Sequence, residues 1–125
     1  MSPGRALGTI PEFSEGVPVT SQDLKSLLRD LKAGLETVYG ERLKGVYLYG
    51  SYARGQADEE SDLDILVVLD RIDRYGAEID RTSHLVASLS LSHGISLSRV
   101  FVTEQDWLKA ESRFLRNARQ EAQAA

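Results

Sequence analysis

The run Leu63-Asp64-Ile65-Leu66-Val67-Val68-Leu69 constrains this chain more than any other stretch, because a single acid interrupts otherwise unbroken apolar character. A half-buried strand alternates apolar and polar residues, whereas a run of this length without alternation suits a central strand covered on both faces. Whatever precedes and follows it must therefore supply two covering layers. The acid inside it needs a reason of its own.

The flanking segments have the periods such layers require. Leu24, Leu27, Leu28, Leu31, Leu35 and Val38 recur at three- and four-residue steps. Thr20 or Ser21 is placed to cap the start of that helix and Gly40 to end it. Gly45 to Tyr49 is β-branched and aromatic and stops at Gly50, as a short strand entering a turn does, and residues 51–57 begin a short helix. Ile72, Tyr75, Ile79, Val86 and Leu89 predict a long helix ending near His93 and Gly94. Ile95 to Val102 reads as a third strand, and Thr103-Glu104-Gln105-Asp106 as a further helix start. Strands interleaved with helices give an α/β (α+β) class: a mixed sheet of at least three strands flanked by helices.

All three prolines lie between Met1 and Pro18, without helical or strand period, so residues 1–19 are expected to be a flexible leader. Residues 20–118 form the domain, and 119–125, polar and Ala-rich, a frayed tail. The 125 residues fit one domain, able to bury about two-thirds of its unfolded surface. A net charge of −4 argues against a protein that coats nucleic acid without sequence preference. Without cysteine there is no disulfide, thiolate nucleophile or Cys-ligated zinc, and a cytoplasmic setting is expected. No run approaches the ~20 apolar residues that span a bilayer.

The chemistry concentrates between Gly50 and Asp64. Asp62 and Asp64 are two apart where a strand begins, so their carboxylates leave one face about 6.6 Å apart along the backbone. Like charges converge at a cost unless a cation lies between them, and oxygen-only ligands suit Mg²⁺ or Mn²⁺ rather than zinc. Asp58, Glu59 and Glu60 add negative field. Just upstream, Gly50-Ser51 leaves a buried strand and opens a helix, where backbone N–H groups and the Ser51 hydroxyl can hold a phosphate. Arg54 beside this turn is either a triphosphate contact or an ordinary surface arginine. Other motifs fail on their letters. Gly50-x-x-x-x-Gly55 is followed by Gln56-Ala57, not the Lys-Ser/Thr of a P-loop, and the acidic run lacks the glycine of an EF-hand. The Asp-x-Asp of glycosyltransferases leaves Gly50-Ser51 unexplained.

Gly50-Ser51, Arg54-Gly55 and Ser61-Asp62-x-Asp64, in that order at the head of an apolar strand, resemble the signature of the DNA polymerase β-like nucleotidyltransferase superfamily. More narrowly the chain is similar, over roughly Ser21 to Asn117, to the minimal nucleotidyltransferases, small domains often encoded beside a helical HEPN partner as toxin and antitoxin. The resemblance implies Gly50 and Ser51 on the triphosphate, with ATP expected, and Asp62 and Asp64 as catalytic ligands of divalent metal. It also implies transfer of a nucleoside monophosphate to a hydroxyl, in some members AMP to a tyrosine of the HEPN partner, and a partner protein or homo-oligomer to supply the acceptor surface. One position departs. The family carries a third acid on a following strand, which helps hold metal and accepts the acceptor's proton, and the matching residue here is Ser96. Serine supplies no negative charge at neutral pH, so the alternative is a weakened or inactive antitoxin or regulatory subunit.

Smaller signals favour packing and solvation. Trp107, Phe114 and Leu115 read as core or interface, Arg113, Arg116 and Arg119 as a solvated helix face, and His84 and His93 lack ligand spacing. Tyr52 remains open as a nucleotide contact, and Glu78 and Asp80 as acids near the site.

Overall fold

The structure is a computed structural model and describes residues 21–57 and 61–125. The expected leader, the cap at Thr20 and the acids Asp58, Glu59 and Glu60 lie outside those residues. Helix α1 (Ser21–Tyr39) leads through a 3-10 turn (Gly40–Arg42) into β1 (Leu43–Tyr49). The short α2 (Gly50–Ala53) precedes β2 (Leu63–Leu69), and α3 (Tyr75–His93) connects β2 to β3 (Leu97–Thr103). Two more helices, α4 (Glu104–Lys109) and α5 (Arg113–Glu121), and a two-residue β4 (Gln123–Ala124) follow.

The sheet is four-stranded, in the order β3-β2-β1-β4. β2 runs parallel to β3 and antiparallel to β1, which also pairs antiparallel with β4. The α3 crossover is what a parallel β2–β3 pair demands. As expected for its sequence, β2 is covered on both faces. Leu63, Ile65, Val67 and Leu69 join Leu27, Leu31 and Leu35 of α1 and Leu89 of α3 in the larger core. On the other face, Leu66 and Val68 pack with Trp107 of α4 and Ala118 of α5. Each fully buried Leu, Ile or Val contributes about 1.5–3 kcal/mol, so this strand anchors both layers. α1 and α3 approach closely because Gly34 leaves room for Leu85: a Cβ at position 34 would stand 2.5 Å from a Leu85 methyl.

The C-terminal region departs most from expectation. Ala110, at a left-handed φ of 47°, ends α4, and the Ser112 side chain caps α5 by accepting from the Leu115 N–H. α5 then continues to Glu121, Gln123 and Ala124 pair with β1, and Ala125 N–H donates to the Val46 carbonyl at 2.9 Å, so the segment expected to fray is helical to 121 and docked on β1 from 123. The mechanism is edge pairing: β1 offers a free edge, and the short β4 takes it. β3 begins at Leu97, two residues later than the sequence suggests, and α3 at Tyr75, three later than Ile72, which still packs on the larger core.

Candidate active site

Because β1 and β2 run antiparallel, the end of one meets the beginning of the other, and Tyr49 lies directly across from Asp64. The next residue, Gly50, turns at φ +75°, a left-handed conformation that glycine adopts without steric cost. Space imposes the same choice: a Cβ on Gly50 would stand 2.3 Å from Asp64 Oδ2. The Asp64 carboxylate thus rests against the Gly50 bend. Asp62, two residues before it, leaves the same face by strand alternation and is exposed where Asp64 is half-buried. Burial first, and then the charge of Asp62, raise the Asp64 pKa above the usual carboxylate value, while Arg54 pulls it the other way. The two acids and Arg54 therefore share one electrostatic neighbourhood. Burial, and then the Asp64 charge, push the Tyr49 phenol up to about 12, so it stays protonated.

Ser51 is half-buried in the first turn of α2, and its carbonyl accepts from Gln56 N–H at 2.9 Å. Arg54 closes that turn through its N–H on the Gly50 carbonyl at 3.1 Å. Its guanidinium donates from Nε to Gln56 Oε1 and from Nη1 to Glu121 Oε1, each at 3.1 Å. Gln123 Nε2 donates to the Ala53 carbonyl at 2.8 Å. Glu121 and Gln123 are thus part of the site's frame, and the sequence analysis missed both. One signal was available: an acid in the last turn of a helix opposes the helix dipole, which suggests a cation nearby.

The position of the expected third acid can now be read from register. Leu63 pairs with Leu97 and its N–H donates to the Ser96 carbonyl at 2.8 Å, which sets Ser96 level with Asp62; Ser98 lies across from Asp64. The positions level with Asp62 and Asp64 are thus both serine, and β3 itself, Leu97–Thr103, contains no carboxylate. Nor does Glu78 replace it. Glu78 is buried at the far end of the sheet, where Tyr39 Oη at 2.9 Å, Arg81 at 2.9 Å and Arg42 at 3.2 Å all donate to it. Asp70 there accepts from Arg42 Nε at 3.3 Å.

The smaller signals resolve as packing. Trp107 is buried under the Arg119 guanidinium, whose Nη1 donates to the Leu108 carbonyl at 3.1 Å, and Arg116 donates to the Glu111 carbonyl. These arginines tether α5 to the end of α4. Phe114 stays partly exposed and meets Tyr49 edge-on, Tyr52 packs against the larger core, and His93 approaches Asp30 at 3.3 Å.

Among the described residues no three His, Cys, Asp or Glu side chains group to hold a metal. A pair of carboxylates nonetheless matches how Mg²⁺ is commonly held, by one or two carboxylates with water and substrate phosphates completing the shell. A carboxylate pair against a Gly-Ser bend, between antiparallel strand ends, is then the decisive local geometry. Over residues 28–113 the sequence matches the model of the nucleotidyltransferase domain family. The chain belongs to that family. Within it, the chain is 33% identical over 78 residues to a putative protein adenylyltransferase of Methanocaldococcus jannaschii, covering 62% of this chain and 72% of that one. It is 38% identical over 73 residues to the protein adenylyltransferase MntA of Thermococcus cleftensis, covering 58% and 72% respectively. Among solved structures, a putative minimal nucleotidyltransferase superposes with a TM-score of 0.55 at 26% identity, over 83% of this chain and 97% of that one. A toxin-antitoxin crystal structure with AMP-PNP superposes at 0.51 and 22% identity, over 85% and 72%, and shares the fold. This nucleotidyltransferase domain is minimal, and among its described residues no helix is long and apolar enough to cross a membrane.

Proposed function

We propose that this nucleotidyltransferase moves a nucleoside monophosphate, AMP by preference, from a nucleoside triphosphate to a hydroxyl on a partner protein, with a divalent metal held by Asp62 and Asp64. The observation that carries the reading is the Asp64 carboxylate resting on the Gly50 bend with Asp62 beside it on one face. Gly50 and Ser51 would receive the triphosphate through backbone N–H groups and hydroxyl, and Arg54 would meet its negative charge. Asp62 and Asp64 would hold Mg²⁺ or Mn²⁺, which when bound would supply charge neutralisation as pyrophosphate departs. A bond forms between the acceptor oxygen and the α-phosphorus, the bond to the β-phosphate bridge breaks, and the acceptor proton must leave. Ser96 and Ser98 offer no base for it, so proton removal falls to solvent or to the partner. The names of the curated relatives support a protein acceptor. The resemblance to the minimal nucleotidyltransferases implies a helical HEPN-type partner, with a tyrosine as the acceptor hydroxyl, and a toxin-antitoxin structure with AMP-PNP shares the fold.

A second reading is favoured by that same pair of serines: a subunit that keeps the fold, binds its partner and transfers slowly or not at all. One experiment separates them. The protein is incubated with Mg²⁺, labelled ATP and the protein encoded beside it, and label on the partner is quantified. The first reading expects label that Asp62→Ala and Asp64→Ala abolish. Label unchanged in both variants would refute it. Absence of label, with complex formation intact and transfer appearing in Ser96→Asp, would establish the second.

A further inference from the structure

Helix α5 ends on an acid, Glu121, in the turn where free carbonyls concentrate negative charge and an acid is disfavoured. What offsets this is Arg54, whose Nη1 lies 3.1 Å from Glu121 Oε1, with 43% and 32% of the two side chains exposed. Gln56 takes the Nε of the same guanidinium. Arg54 is thus occupied on two sides by oxygens of this chain, yet it remains near enough to Asp64 to act on that carboxylate. It stands between the C-terminal helix and the candidate active site. Gln123, two residues beyond Glu121, ties the same segment to the Ala53 carbonyl without charge.

We propose that Glu121 is an internal competitor for the triphosphate: it holds Arg54 until an incoming phosphate displaces it, and so lowers nucleotide affinity. The inference rests on the triphosphate reading of the Gly50 bend and adds a regulatory element to it. The effect has one direction, because a phosphate must take over the guanidinium that the carboxylate holds. Glu121 is a positioning residue, since it acts through Arg54. A purely structural tether would give the opposite sign, because cutting it would loosen the turn and weaken binding.

The test is a calorimetric titration of the full chain with a non-hydrolysable ATP analogue in Mg²⁺, alongside thermal unfolding of each variant. Glu121→Gln is expected to bind about two- to fivefold more tightly, the range of one exposed ion pair, although its unfolding temperature does not rise. On an Arg54→Gln background the gain should vanish. Gln123→Ala, which cuts the neutral tether, should not tighten binding. Equal or weaker binding by Glu121→Gln, while the unmodified protein binds the analogue, would overturn the competitor role alone. A comparable gain in Gln123→Ala would also overturn it, by tracing the effect to a loosened helix. No saturable binding by any form would overturn the functional reading, and this inference with it.

Discussion

At Gly50 two independent constraints meet: φ is +75°, and the place where a Cβ would stand is 2.3 Å from Asp64 Oδ2. Gly50→Ala must therefore accept left-handed strain of about 1–2 kcal/mol and push the carboxylate away. We expect destabilisation of that order in urea denaturation and loss of triphosphate binding. Asp64 yields a pH test. Its pKa is raised in the folded protein, by burial first and then by Asp62, so folding favours its protonated form. The ionised carboxylate thus costs stability above its folded pKa, and the cost disappears below the unfolded value of about 3.9. Asp64→Asn should unfold at a higher temperature than the unmodified protein at pH 7 and lose that advantage at acid pH. Added Mg²⁺ with the ATP analogue should stabilise the unmodified protein and not the variant. That Gly50 and Asp64 meet at adjacent strand ends was legible, because one apolar run stops at Gly50 and the next opens at Leu63. Glu121 was not, because an ion pair sixty-seven residues apart in sequence leaves no periodic trace.

Among the elements, β2 was the most legible, since its continuous apolar run states both of its contacts. β4 was the least. Two residues between alanines show no strand period, and only the free edge of β1, a tertiary fact, makes a strand of them. The same limit hid the network beneath α3. Burial alone would raise the Glu78 pKa, but hydrogen bonds from Tyr39, Arg81 and Arg42 outweigh it and hold the carboxyl below the ordinary 4.5. With the folded pKa depressed, its contribution to stability is fully present above the unfolded value and is lost as pH falls through the folded one. Glu78→Gln should cost about 1–3 kcal/mol at pH 7, and the gap from the unmodified protein should narrow on acidification, as followed by urea denaturation at several pH values. Because this cluster lies at the opposite end of β2 from Asp64, nucleotide affinity should change little in the fraction that remains folded.

For the molecule as a whole, the fold places the candidate site at one end of the sheet and the ion network around buried Glu78 at the other. The α/β class and the sheet with helices on both faces followed from interleaved periods. The order of the strands and the docking of the C-terminal helix required the packed structure, because both depend on which faces find each other rather than on local pattern. Among the described residues, serine stands level with Asp62 and Asp64 at positions 96 and 98, so the central claim is that these two acids and the Gly50 bend suffice to hold a metal triphosphate. Paramagnetic broadening of amide NMR signals by Mn²⁺, titrated together with the non-hydrolysable ATP analogue, tests this most directly. Broadening should begin at Gly50, Ser51, Asp62 and Asp64 and be absent in Asp64→Ala. Broadening centred on Arg42 and Glu78, or persisting undiminished in that variant, would contradict it.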